Sequence, residues 1–141
     1  MAHKQMALVG FMQAQNCSNY PASWRHPAAA QDFLSADYYQ RVAKSLAAGK
    51  FPMLFFDDRL AMPDIFSADH RASIEHGIRV VKMGPIPILA TIGAVTSRIG
   101  LGGTLSTSYF EPFHIARQFS TLDHMTGGRA AWNVVTSLND S

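Results

Sequence analysis

Two adjacent aspartates, Asp57 and Asp58, directly follow an apolar run and form the most informative polar pair in the sequence. Hydroxyl and amide side chains follow three further apolar runs, at Gln13 and at residues 106–108 and 133–137. Such groups can hydrogen-bond the polar edge of a heterocyclic ligand, but they can equally satisfy the backbone of a loop. Adjacent side chains of an extended chain point to opposite faces, so at most one aspartate is expected to face a shared site. Spacing alone predicts a location and no reaction.

Common phosphate, metal and hydrolase motifs do not occur in this sequence, which lacks GxGxxG, Walker A, HExxH and GxSxG patterns. His114 and His124 lie ten residues apart on one predicted helix, so they project at different angles and make a poor metal pair. Cys17 is the only cysteine, which excludes an internal disulfide and a multi-cysteine zinc site. We therefore expect no bound metal.

Apolar runs alternate with helical segments along the chain, and this alternation predicts an α/β fold with a parallel sheet. Ser35 is expected to cap the first helix, and Gly49 to end it in the left-handed conformation. Residues 61–83 have no clear pattern, although residues 74–83 are compatible with a short strand or a helical turn. The predicted strands are residues 6–12, 51–56, 99–106 and 130–136, and the helices are residues 36–48 and two segments that begin at Pro85 and Pro112.

Length and composition indicate one globular domain of 141 residues with 48% hydrophobic residues and a net charge of +2. The basic residues are scattered, which argues against nucleic acid, and no apolar run approaches the roughly 18 residues that span a membrane. A doubly wound fold and half of a (β/α)8 barrel both fit the element order. Because the sequence stops just after a fourth strand, we predict the N-terminal half of a TIM barrel over residues 1–141, apparently truncated and cytoplasmic.

Five ordered motifs, spread over essentially the whole chain, resemble the bacterial-luciferase-like flavin monooxygenases. The similarity is greatest to the group that includes nitrilotriacetate, pristinamycin synthase and dibenzothiophene sulfone monooxygenases. Only the N-terminal part of the family's length is present. The motifs are Trp24-Arg-His-Pro27 and residues 50–58, 94–102, 119–129 and 131–140.

The resemblance implies a two-component monooxygenase that takes reduced FMN from a separate NAD(P)H-dependent flavin reductase. In this family oxygen adds to the reduced flavin to give a C4a-hydroperoxide, which oxygenates a small organic substrate. The cofactor supplies the difficult chemistry, and the protein positions flavin and substrate and excludes water. A homo-oligomer is also implied.

The resemblance also implies site residues. Asp58, Thr104, Ser106 and Asn133 match positions that contact or adjoin the flavin, while Phe11 and Trp24 are candidates for the substrate side. Gly84 departs from the family pattern, since many relatives have an acidic residue there. We expect the phosphate site to lie beyond residue 141, because TIM barrels commonly build it after strands 7 and 8.

Two other interpretations remain open at this point. One is a catalytically inactive truncated fragment or scaffold, and we expect residues 1–141 alone not to turn over. The other is a deazaflavin-dependent oxidoreductase on the same barrel, which would transfer hydride instead of oxygen.

Overall fold

Four parallel strands form a single sheet in the computed structural model, which describes residues 5–18, 20 and 22–137. The strands follow one another in the order β1-β2-β3-β4, so every neighbour along the chain is also a neighbour in the sheet. This is the strand order of a (β/α)8 barrel, and it confirms the prediction of a partial barrel. The strands are β1 (Val9–Met12), β2 (Met53–Phe56), β3 (Gly100–Ser106) and β4 (Ala130–Val135).

The connections between the strands carry the helices α1 (Ala36–Ala48), α2 (Arg71–Glu75), α3 (Pro85–Gly93) and α4 (Pro112–Thr126). Three of them, α1, α3 and α4, pack on one face of the sheet and bury the core. The opposite face corresponds to the inside of a barrel. In the described part of the chain, no helix is long and apolar enough to cross a membrane. The most deeply buried core side chains are Tyr39, Leu54, Phe56, Leu89, Ile92, Leu101 and Ile115.

The first strand is shorter than the apolar run that predicted it. It begins at Val9, which pairs with Met53, whereas Met6 is 85% exposed. A run of apolar residues indicates a buried strand only where a neighbouring strand exists to pair with it. The partner β2 begins at Met53, so the residues before Val9 have no strand beside them.

Helix ends follow the predicted capping residues with one exception. The Ser35 hydroxyl accepts a hydrogen bond from the backbone N–H of Tyr38, as an N-cap should. Gly127 adopts the left-handed conformation at the end of α4, with φ of 69°. At the end of α1, however, Gly49 has φ of −73°, and the left-handed residue is Lys50 with φ of 59°. The helical path continues one residue further than predicted.

The segment between β2 and α3, which the sequence left unassigned, contains the end of a short helix within residues 74–83, and no strand is described there. It forms the short helix α2 and then a single antiparallel bridge between Lys82 and Gln15. Two backbone hydrogen bonds flank this bridge, from Met83 to Ala14 at 2.8 Å and from Asn16 to Val81 at 3.1 Å. The bridge attaches the end of this segment to the chain that follows β1.

Candidate functional site

Phe11, Phe55 and Gly102 lie side by side in one row across the barrel-side face of the sheet. The two phenylalanine rings are tilted against each other with centroids 5.8 Å apart. A Cβ atom at Gly102 would lie only 3.2 Å from the Phe55 ring, so glycine gives this ring its room. One row further along, Thr104 pairs with Asn133. The barrel side therefore changes from apolar to polar toward the carboxyl ends of the strands.

Asp57 and Asp58 lie at this carboxyl edge, just after β2. Together with residues 59–61 they form a wall shared by two cavities, of about 680 Å³ and 280 Å³. The expectation that only one aspartate faces a site is wrong, because both line both cavities. Strict alternation of side chains applies within a strand, and β2 ends at Phe56. We call residues 57–61 the shared wall.

The carboxylate of Asp57 is fixed by two neighbours. Its Oδ2 atom accepts a hydrogen bond of 2.9 Å from the Gln13 side chain, and its Oδ1 atom lies 3.7 Å from the Lys82 ammonium. Asp58 is half-buried, and this burial raises its pKa above the ordinary value, although Lys82 acts in the opposite direction. Burial also lowers the pKa of Lys82, against the pull of both carboxylates. The site holds partly desolvated charges of both signs.

Thr104 and Asn133, which the sequence assigned to the flavin, meet directly. The Thr104 hydroxyl is buried and donates to the carbonyl oxygen of Phe56 at 3.0 Å. It also accepts a hydrogen bond of 3.1 Å from the Asn133 side-chain amide. Both residues line the smaller cavity beside Asp58. Thr104 is thus occupied with protein partners and orients Asn133, whose amide oxygen is the group available to a ligand.

Ser106 is not part of this cluster. Its buried hydroxyl lies 2.8 Å from the hydroxyl of Ser137 and accepts a hydrogen bond from the backbone N–H of Ser108. It lines neither the 680 Å³ nor the 280 Å³ cavity. These contacts hold the turn after β3 against the end of β4.

Of the two aromatic candidates, Phe11 and Trp24, the structure brings only Phe11 to the 680 Å³ cavity. Phe11 lines the 680 Å³ cavity and also a neighbouring cavity of about 460 Å³, whereas Trp24 lines only the second of these. The Arg25 guanidinium lies 5.0 Å from the centre of the Trp24 ring, and a Cβ atom at Gly77 would come within 3.0 Å of that ring. Trp24 therefore packs between its own loop and the segment before α3. The structure does not bring Trp24 beside Asp58.

Two further polar residues belong to the site, Gln13 and Lys82, and sequence reasoning missed only Lys82. Gln13 follows β1, so its position at a strand end was a usable signal. Lys82 had no such signal, because a single bridge from a segment without periodicity brings it to the site.

This chain is similar in sequence to a known family of proteins. The family model described as luciferase-like monooxygenase matches residues 22–141. The chain belongs to this family. Dibenzothiophene-sulfone monooxygenase of Rhodococcus erythropolis is 45% identical over 139 residues, which are 98% of this chain and 31% of that protein. The resemblance found in the motifs is thereby confirmed, and this chain spans about a third of the length of the curated relatives that it matches.

Solved structures agree with the fold. The crystal structure of the long-chain alkane monooxygenase LadA superposes with a TM-score of 0.93 at 30% identity, over 99% of this chain and 32% of LadA. A riboflavin lyase, RcaE, solved with modified FMN and riboflavin, gives a TM-score of 0.87 at 30% identity, over 95% of this chain and 30% of RcaE. Homologues in this family are flavin-dependent. The smaller cavity of this chain combines polar and apolar groups. Its acceptor and amide groups (Asp58, Asn133) lie beside an apolar aromatic surface (Phe55).

Proposed function

We propose that this chain provides the flavin-side and substrate-side walls of an FMN-dependent two-component monooxygenase that oxygenates a small organic molecule with O2. The reduced FMN would come from a separate NAD(P)H-dependent flavin reductase, and the working protein would be a homo-oligomer. The observation that carries this proposal is the shared wall, which borders both a smaller cavity on the barrel side, where Thr104 and Asn133 lie, and a larger cavity beside the start of α3. A ligand in either cavity would contact residues 57–61.

In this arrangement the smaller cavity would hold the flavin ring. Bound reduced flavin supplies the chemistry that activates oxygen. Asp58 accepts hydrogen bonds from the polar edge of the ring, and Asn133, oriented by Thr104, provides its amide oxygen. Phe55 contributes an apolar surface that excludes water from the ring. The substrate occupies the 680 Å³ cavity, which includes Phe11, Met83 and Phe110.

Asp58→Asn tests the flavin side. We expect the affinity for reduced FMN to fall about tenfold, the size of one hydrogen bond to a charged group. The same change should raise the melting temperature by about 1–3 °C, after allowance for partial exposure, because it removes a carboxylate that burial disfavours. Burial destabilises the fold only when Asp58 is ionised, so this gain should vanish as the pH falls below its raised pKa. Anaerobic titration with reduced FMN and thermal unfolding measure the two effects.

The matched control is Asp64→Asn, which removes a carboxylate from an exposed position before α2. It should leave both the flavin affinity and the melting temperature unchanged. An unaltered FMN affinity in Asp58→Asn would contradict the role of Asp58. Tighter binding of a reduced deazaflavin than of reduced FMN by the wild-type protein would favour the hydride-transferring alternative.

Gly84→Leu tests the substrate side. Gly84 lines the larger cavity, its φ of −65° suits any residue, and a Cβ atom there would meet no neighbour within 4 Å. The leucine side chain should therefore occupy cavity volume without straining the fold. We expect substrate oxygenation to fall at least tenfold while reduced-FMN affinity and melting temperature stay within error. Normal turnover in Gly84→Leu would place the substrate elsewhere.

A further inference from the structure

Lys82 is held rigidly at the wall of the larger cavity. Its backbone forms the antiparallel bridge to Gln15, and the flanking hydrogen bonds fix the chain on both sides of it. Its side chain is only 16% exposed. A lysine on a flexible loop would turn its ammonium to solvent, but this backbone position directs the side chain toward Asp57 and the cavity.

The ammonium of Lys82 has donors that the protein does not use. An ammonium carries three N–H donors, and a charge-assisted hydrogen bond to a carboxylate is about 2.7–2.9 Å long. The nearest carboxylate atom, Asp57 Oδ1, is 3.7 Å away, too far for such a bond. Within the described ranges, no hydrogen bond from Lys82 is found. A partly buried ammonium gains a charge-assisted hydrogen bond from a ligand that accepts from it, so such a ligand would be stabilised.

The charges around the cavity favour an anion over a cation. Three basic side chains line it, and only two acidic ones do. The other titratable groups are absent from the lining, whose remaining polar members are glutamines. The charged lining residues are Arg59, Arg79, Lys82, Asp57 and Asp58.

The rest of the lining suits an apolar body. Met62, Pro63, Met83 and Phe110 surround the space, and its 680 Å³ is ample for two fused aromatic rings. We propose that Lys82 is a specificity-determining residue that binds a carboxylate or sulfonate group of an otherwise apolar, aromatic-sized substrate. This inference rests on the proposed function, since it takes the larger cavity to be the substrate site.

Binding of a matched pair of probes to the flavin-free, full-length protein tests this inference. The probes are 2-naphthoate and its neutral amide, 2-naphthamide, titrated by calorimetry at pH 7. The wild-type protein should bind the naphthoate more tightly. Lys82→Met, which keeps most of the stem and removes the charge, should weaken naphthoate binding about ten- to a hundredfold and leave the amide unchanged. Lys82→Arg should restore most of the preference, and Lys44→Met, an exposed lysine on α1, is the control.

Asp57→Asn should change the affinity for naphthoate in the direction opposite to Lys82→Met. It removes the carboxylate nearest to Lys82 while an amide oxygen can still accept from Gln13, so naphthoate should bind several-fold more tightly. A structural role for the pair would weaken binding in both variants, and that result would overturn the inference. So would equal affinity of the wild-type protein for both probes. The flavin assignment is tested separately by Asp58→Asn with reduced FMN, so failure here is distinguishable from failure of the flavin assignment.

Discussion

Arg129→Met should lower the free energy of unfolding by about 3 kcal/mol or more, since it removes five hydrogen bonds from a charged group. The guanidinium donates to the carbonyl oxygens of Gly93, Thr96, Ile99 and Thr126, at 2.8–3.1 Å, and to the Thr96 hydroxyl at 3.1 Å. These oxygens belong to the ends of α3 and α4 and to the approach to β3. One side chain therefore holds three elements together.

Urea unfolding followed by circular dichroism measures this effect. Arg117→Met is the control, because Arg117 is an exposed arginine on the preceding helix, α4, and its removal should cost little. Arg129→Lys should recover only part of the loss, since an ammonium cannot reach acceptors on all sides of a planar guanidinium. Equal unfolding midpoints for the Arg129 and Arg117 variants would show that the network contributes nothing to stability.

Arg129 lies away from the candidate site, so its effect on stability is separate from any effect on ligand binding. Its contacts lie where β3 begins and where the chain enters β4, whereas Asp58 and Asn133 lie toward the carboxyl ends of the strands. In a barrel of this type, ligand sites occupy the carboxyl end and the opposite end stabilises the fold. We therefore expect Arg129 variants to lose stability without a specific change in flavin affinity at temperatures where they remain folded.

Much of this fold was predictable because each local signal agreed with the global arrangement. Ser35 caps α1 and prolines begin α3 and α4, as predicted, and left-handed Gly127 ends α4. The start of β1 was not predictable, because apolar character at Met6 does not reveal that β2 begins only at Met53. The end of α1 was not predictable for a similar reason. Whether the helix ends at Gly49 or continues to Lys50 depends on the packing around the helix end.

The candidate site was predictable only where it follows strands. Asp58 and Asn133 are strand-end residues, so the order of elements placed them at one edge before any contact was known. Lys82 reaches the carboxyl edge of the sheet through the bridge to Gln15. No periodic pattern in its own segment predicts that pairing. Trp24, by contrast, packs against Gly77 and Arg25 in the structure.

The neighbouring pair Phe55 and Phe56 looks the same in sequence but occupies opposite faces of β2. Phe56 is fully buried on the helix side, with its ring 5.7 Å from that of Tyr39. Phe55 is only partly buried and lies on the barrel side beside Phe11, where it lines the proposed flavin cavity. The helix-side face of β2 therefore contributes to stability, and its barrel-side face contributes to ligand contact.

Phe56→Ala should lower the free energy of unfolding by about 3–5 kcal/mol, because it leaves a cavity in the core. Phe55→Ala should cost about 1 kcal/mol, since that side chain already borders an open cavity and loses fewer contacts. The effects on reduced-FMN affinity should be in the reverse order. Phe55→Ala should weaken reduced-FMN binding several-fold, whereas Phe56→Ala, where it is folded, should weaken it much less. Urea unfolding and anaerobic FMN titration of the same two proteins give both comparisons. Similar losses of stability from the two substitutions would contradict the assignment of the faces, because each side chain would then be part of the core.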